Sequence, residues 1–183
     1  SNHLEKLQHK ESTAALKKAL EKEIQAFKQK EQHTIDEIKT LIEKESQLSL
    51  KYQSIQTIKG LGDIASIALI HLFLKYPNAN QKQIISLAGL DPVERTSGTS
   101  VRGKTRISKA GNKLYRRSLF MRTMVAIRFN EEMKCFYDRL KEKGKHTTVA
   151  QIAVMKKLII IARALFHSNQ GYSSDVYQSH CGI

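Results

Sequence analysis

Residues 14–54 contain no glycine and no proline, and apolar or small side chains return at Leu16, Leu20, Ile24, Phe27, Thr34, Ile38, Leu41 and Leu48, with Glu31 and Glu45 in the remaining positions of the same seam. Steps of three and four residues are heptad spacing, so this stretch is predicted to be one long helix with a coiled-coil face. Lys and Glu occupy the other faces, as in a solvated helix laced with i,i+4 pairs. Such a helix is roughly 60 Å long. It cannot bury its stripe against itself and calls for a partner helix. Ser12-Thr13 has N-cap chemistry, so a short arm bearing Leu4 and Leu7 followed by the long helix, a helical hairpin, is the open alternative.

Beyond residue 54 the period stays helical but is punctuated. In Ser54-Ile-Gln-Thr-Ile-Lys-Gly-Leu-Gly-Asp-Ile-Ala-Ser-Ile-Ala the apolar positions on both sides of Gly60-Leu61-Gly62 keep helical spacing, which predicts a tight turn between two helices. Tyr76–Asn80 breaks the chain, and Asn80 is placed to cap a short helix over residues 81–88. A turn with Pro92 and a polar loop follow. Residues 112–140 read as one amphipathic helix with Leu114, Leu119, Met121, Val125, Phe129 and Met133 on or near one side. Gly144 marks a basic turn, and Thr147 or Thr148 opens a last helix through Phe166. The tail from Ser168 is polar and expected to fray. The fold class is all-α: a long coiled-coil helix or helical hairpin, residues 1–54, then a compact helical domain, residues 55–183, opening with a helix-hairpin-helix-like motif.

Charge divides the chain at the same place. Residues 1–54 carry 10 Lys and 9 acids, which leaves +13 of the net +14 to residues 55–183. A balanced front and a polycationic back point to a scaffold followed by a nucleic-acid-binding part. Cys135 and Cys181 lie far apart with no His or Cys at ligand spacing, so neither zinc nor a disulfide framework is signalled. No apolar run reaches membrane-spanning length. No secretory signal is present, and a cytoplasmic, nucleoid-associated protein is expected. The start at Ser1-Asn2, inside a helical pattern, reads as the boundary of a fragment.

The densest chemistry lies between Arg95 and Arg117. Arg95, Arg102, Lys104, Arg106, Lys109, Lys113, Arg116 and Arg117 occur there with no acid among them. Cations so crowded repel one another unless a polyanion is near, and phosphate is the natural partner. Ser97-Gly98, Ser108 and Asn112 supply small polar groups between them. Lys113, Arg116 and Arg117 stand at the positive end of a helix dipole, an unfavourable placement that an anion held there would relieve. At Lys59-Gly60-Leu61-Gly62 the glycines allow close approach and the next helix offers free N–H groups to a phosphate. A purely structural corner accounts for that turn equally well.

Taken in order, Ile58-Lys-Gly-Leu-Gly62, Gly89-Leu-Asp-Pro92, Ser97-Gly98, Arg106-Ile-Ser-Lys109, Gly111-Asn112, the arginines after Leu114, and Phe136-Tyr-Asp-Arg-Leu-Lys-Glu-Lys-Gly144 resemble the C-terminal domain of the insertion-sequence family 110 transposases, relatives of the Piv DNA invertase. The resemblance covers residues 54–172, and residues 12–54 fit the coiled coil that precedes the domain. It implies a serine nucleophile that links covalently to DNA, here Ser97, with Ser100 and Ser108 as local rivals. It also implies recombination guided by a structured RNA, and a RuvC-like domain upstream whose carboxylates bind Mg²⁺. Those carboxylates are not found in this sequence, so no cofactor is expected in the fragment itself, and Mg²⁺ is expected in the missing domain. Asp63, Asp91 and Asp175 are scattered and do not replace them.

The sequence therefore predicts a chain that binds DNA and guide RNA through Lys59, Gly60, Gly62, Arg95, Gly98, Arg102, Lys104, Arg106, Ser108, Lys109, Asn112, Arg116 and Arg117. It carries Ser97 but does not recombine DNA alone, and it assembles as a dimer or higher even-numbered oligomer. The alternative is a non-catalytic coiled coil bearing a helix-hairpin-helix that binds nucleic acid by phosphate contacts only.

Overall fold

The computed structural model describes residues 2–93, 96–97, 101–102, 106–168 and 171–173, and the chain divides into two compact units, residues 1–44 and 45–183. The first unit is a single helix, α1 (Asn2–Lys44). It runs through Ser12-Thr13 without a break, so the two-armed alternative is not formed. A run of 43 residues without Gly or Pro propagates more cheaply than it restarts. Along it Gln32 Nε2 donates to Asp36 at 3.0 Å, and Lys17 and Glu21 stand 4.0 Å apart. Leu16, Leu20, Ile24, Phe27 and Leu41 are all exposed.

The helix does not continue to residue 54. Glu45 turns extended (φ −111, ψ 101) and a separate α2 spans Ser46–Gln56. The second unit packs α2, α3 (Asp63–Lys75), α4 (Gln81–Leu87), α5 (Lys113–Phe129), α6 (Glu131–Glu142) and α7 (Thr147–Ser168) into one core. Helix α7 is the hub. Met155, Leu158, Ile159 and Phe166 are among its buried side chains, and it lies against α2, α3, α5 and α6. Ile55, Leu69, Leu72, Tyr115, Leu119 and Met133 close the core from the other helices.

The single helix expected over residues 112–140 is two. Asn130 is extended and its side chain accepts the N–H groups of Glu132 and Met133, capping α6 as α5 ends. The buried face of α5 is Tyr115, Leu119, Thr123 and Ala126. Of the apolar residues the pattern placed on or near one side of the expected helix, Leu119 on α5 and Met133 on α6 are buried. Leu114, Met121, Val125 and Phe129 are exposed. The tail also differs from expectation at Gly171–Ser173. There the Tyr172 N–H donates to Thr57 Oγ1 at 2.7 Å and the Tyr172 hydroxyl donates to the buried Glu132 carboxylate at 2.5 Å.

Candidate nucleic-acid interface

The polar loop after Pro92 is a hairpin of two nested antiparallel ladders. The outer one pairs β1 (Pro92–Val93) with β4 (Arg106–Ile107), Pro92 opposite Ile107. The inner one pairs β2 (Thr96–Ser97) with β3 (Val101–Arg102), Thr96 opposite Arg102 and Ser97 opposite Val101. The two registers are out of step by one residue, the count that a β-bulge introduces. Ser97 thus stands on the inner ladder. Its side chain, that of Arg102, and all of Arg95, Gly98, Ser100 and Lys104 lie outside the described residues.

The base of this hairpin is built with care. Asn80 and Gln83 form a reciprocal capping box that starts α4, with bonds of 2.9 and 2.8 Å. Gly89 (φ +66) ends the helix, where the Leu90 N–H returns to Ile85 O. The returning strand is then tied to that end. Ser108 N–H donates to Asp91 O, Lys109 N–H to Gly89 O, and Asn112 N–H to Leu87 O, at 2.9–3.1 Å. A Cβ on Gly111 would collide with the Leu87 carbonyl, so only glycine permits the crossing. The Ser108 hydroxyl donates to Asp91 Oδ1 at 2.5 Å and is therefore already engaged. Lys109 takes a left-handed conformation (φ 57) to complete the turn into α5, whose first N–H groups Asn112 caps through Leu114 N.

Arg116 completes this base. One guanidinium nitrogen donates to Ala88 O at 3.0 Å and to Gly111 O at 2.7 Å, so the charge sits on the carbonyl end of α4. It thereby finds protein acceptors for the cation that the sequence left unpaired at the α5 N-terminus. Lys113 and Arg117, one turn apart beside it, are exposed, as is Arg106. Lys156 from α7 faces the same base. Burial lowers its pKa below the ordinary lysine value, while the Asp91 charge pulls it back up.

The α2–α3 turn stands at the other end of α5. Gly60 (φ +104) presses on Ala126, where a Cβ would lie 2.7 Å from the Ala126 Cα, so this glycine serves helix packing. Gly62 caps α3 without a side-chain bond, and a Cβ there would meet only the Arg122 guanidinium, at 3.6 Å. Lys59 is exposed. Arg122 adds a cation to this turn that sequence reading passed over, because on α5 it lies nine positions beyond Lys113, outside the basic run. The named residues therefore fall into two groups. Lys59, Gly60 and Gly62 stand by Arg122 and Ala126, while Arg106, Ser108, Lys109, Asn112, Arg116 and Arg117 stand at the α5 N-terminus, roughly 20 Å away at 1.5 Å per residue.

Among the described residues no three or more His, Cys, Asp or Glu side chains gather as a metal site. Among the same residues no helix is long and apolar enough to cross a membrane.

Comparison with known proteins bears on this assembly as a whole. Residues 52–138, from α2 through the turn, the hairpin and α5 into α6, match the model of the Transposase IS116/IS110/IS902 family. The pilin gene-inverting protein of Moraxella lacunata is 28% identical over 138 residues, which is 72% of this chain and 42% of that protein. The uncharacterized 43.6 kDa protein of insertion element IS110 from Streptomyces coelicolor is 28% identical over 91 residues, 50% of the chain and 22% of its own length. The chain thus spans less than half the length of these relatives.

Proposed function

We propose, from the match of residues 52–138 to the model of the Transposase IS116/IS110/IS902 family, that the chain is the part of a DNA recombinase that grips DNA and a structured guide RNA and supplies Ser97 as the nucleophile. The observation that carries this reading is the register of the hairpin. Ser97 stands on the inner ladder, beside the Thr96–Arg102 pair, on an arm whose base is locked to α4 and α5. A nucleophile needs such a mount, extended enough to reach a strand and fixed enough to hold an attack geometry.

In the proposed step the Ser97 Oγ forms a bond to a DNA phosphorus as the phosphorus–oxygen bond to deoxyribose breaks. The serine proton ends on the departing sugar hydroxyl. One phosphodiester replaces another, so the reverse attack by a new hydroxyl rejoins the strand. Exposed Arg106, Lys113 and Arg117, with Arg95, Arg102 and Lys104, position the strand and balance its charge. The exposed seam of α1 brings two or an even number of copies together through a coiled coil.

A second reading keeps the binding and drops the chemistry: a coiled coil with a helix-hairpin-helix that takes a phosphate at Lys59, Gly62 and Arg122. The uncapped N-terminus of α3 beside two cations favours it. Ser97→Ala in full-length recombinase separates the two. Under the first reading it abolishes the denaturant-resistant protein–DNA adduct, while DNA affinity stays within about threefold, one hydrogen bond at most being lost. Ser100→Ala leaves the adduct intact. An adduct that forms at the normal rate without the Ser97 hydroxyl ends the nucleophile assignment.

A further inference from the structure

Tyr76 ends α3, and an open cavity of about 520 Å³ lies between that helix end and α4, with Tyr76, Pro77, Asn78, Gln83, Ser86 and Leu87 among its walls. Tyr76 is the one aromatic residue of the lining. The hollow follows from the chain break. Pro77 cannot continue α3, and the Asn80 capping box restarts the chain as α4, so a few residues bridge two helix ends.

The polar groups of the cavity are held in place but unspent. Gln83 Oε1 accepts the Asn80 N–H at 2.8 Å, which fixes the amide and leaves its Nε2 as a donor. Among the described residues that nitrogen, the Asn78 amide and the Ser86 hydroxyl have no hydrogen-bond partner. Charge around the cavity is one-sided. No acid occurs between Asp63 and Asp91, and Lys75, Lys82 and Lys113 are exposed. Lys75 Nζ lies 5.6 Å from the centroid of the Tyr76 ring. The cavity also abuts the hairpin base. Its wall residue Leu87 accepts the Asn112 N–H through its carbonyl. The Tyr76 phenol is close enough to Tyr115 of α5 to add to burial in raising the Tyr115 pKa.

We propose that this cavity is a subsite for one unpaired nucleobase of a single strand, stacked on Tyr76 and met at its edge by Asn78, Gln83 and Ser86. On the reading that the chain grips nucleic acid, on which this site rests, the lysines and the hairpin cations take phosphates and the cavity takes a base. An aromatic ring set among cations is how single strands are held, because every base has a stacking face. Amide and hydroxyl groups beside the ring match the hydrogen-bonding edge that a base exposes once it has left its stack. A base inside a duplex is paired and stacked and cannot enter a hollow between two helix ends.

Binding of the whole chain to a single strand of about 12 nucleotides, in ribose and deoxyribose versions of one sequence, and to the corresponding DNA duplex tests the site. Tyr76→Ala is expected to weaken single-strand binding about tenfold, the size of one lost stack, and to change duplex affinity by less than about twofold. Tyr76→Phe keeps the ring and should stay within about twofold of the parent on all three ligands. A larger loss on one single strand names the kind of strand that delivers the base, and equal losses mean that the base alone is read. Photo-cross-linking of the parent chain to a strand containing 5-iodouracil gives an answer even if Tyr76→Ala does not fold. It should mark the tryptic peptide Tyr76–Lys82, in which Tyr76 is the only aromatic residue. Undiminished single-strand affinity of a folded Tyr76→Ala, equal weakening on strand and duplex, or cross-links confined to other peptides overturn the subsite while duplex binding stands. A parent chain that binds neither strand nor duplex removes the reading beneath it as well.

Discussion

The two corners flanking α5 each rest on a pair of glycines, Gly60 and Gly62 in one turn and Gly89 and Gly111 brought together by the fold, and they differ in what they touch. At the α2–α3 turn Gly60 is spent on α5, with Ala126 in van der Waals contact, whereas Gly62 faces only a flexible arginine. At the hairpin base Gly89 and Gly111 are both enclosed, by each other, by the Leu87 carbonyl and by Arg116. The first corner leaves one glycine and one helix end open to a ligand. The second has no opening at its backbone and offers a ligand only side chains. A short Gly-x-Gly pattern therefore states that something comes close, and the structure decides whether that is protein or solvent.

The sharpest way to break this comparison is Gly60→Ala against Gly62→Ala. The first places a Cβ on the Ala126 backbone and holds alanine at φ +104, so it should lose about 3 kcal/mol or more of stability. The second keeps an ordinary φ of −95 and meets a movable side chain, at a cost under about 1 kcal/mol. Chemical denaturation measures both. Equal losses would mean that the turn is packed throughout and has no open helix end.

At the hairpin base the contrast is between Arg116 and Arg117. Arg116→Ala removes the donor shared by two carbonyls and should cost about 2–3 kcal/mol. Arg117→Ala should leave stability within about 0.5 kcal/mol. Its effect belongs to binding: the slope of log affinity for duplex DNA against log salt should fall by about one if it contacts one phosphate. A loss of stability for Arg117→Ala with an unchanged slope would reverse the assignment of the two residues.

The helices were legible wherever their signals are local. The Asn80 cap, the short helix behind it and the Gly144 turn appear in the structure as composition and spacing imply. The hairpin was not legible. Its ladders are two residues long, and what holds it is main chain bonded to α4, which no side-chain pattern records. The face of α5 was misread for a related reason. Leu114, Met121, Val125 and Phe129 form a good apolar stripe, but Tyr115, Leu119, Thr123 and Ala126 form a better-shaped one. Small Ala126 lets the Gly60 turn approach, and the tertiary fit overrode the more hydrophobic choice. Of the basic run, what sequence could not separate was Arg116 from Arg117, since adjacent residues of one type point 100° apart on a helix. For Ser97 the backbone register is in view, and its side chain is outside the described residues.

A smaller effect distinguishes the tail strap from a frayed end. Tyr172→Phe removes the hydroxyl that donates to the Glu132 carboxylate, whose other oxygen has no partner among the described residues. The unfolding free energy should drop by about 1–3 kcal/mol, the cost of leaving a buried acceptor short of a donor. A drop indistinguishable from zero would mean that residues 171–173 are not docked in solution, and the unit would then end at α7.

The smallest effect concerns Lys156, where burial and the Asp91 charge oppose one another. Its folded pKa is lowered, so just below the ordinary lysine range the unfolded chain binds more protons than the folded one. Stability of the parent protein then rises with pH across that window as the buried amine sheds its charge. Lys156→Met keeps the length of the side chain and removes the charge. It should raise the melting temperature by no more than about 2–4 °C near neutral pH. The gain should shrink as the pH climbs toward the lysine range, where the parent lysine sheds its proton as well. Thermal melts of both proteins at several pH values decide it. If the methionine variant is the less stable one at neutral pH, the attraction between Lys156 and Asp91 outweighs the burial cost. Lys156 would then belong to the set of contacts that fixes the hairpin base.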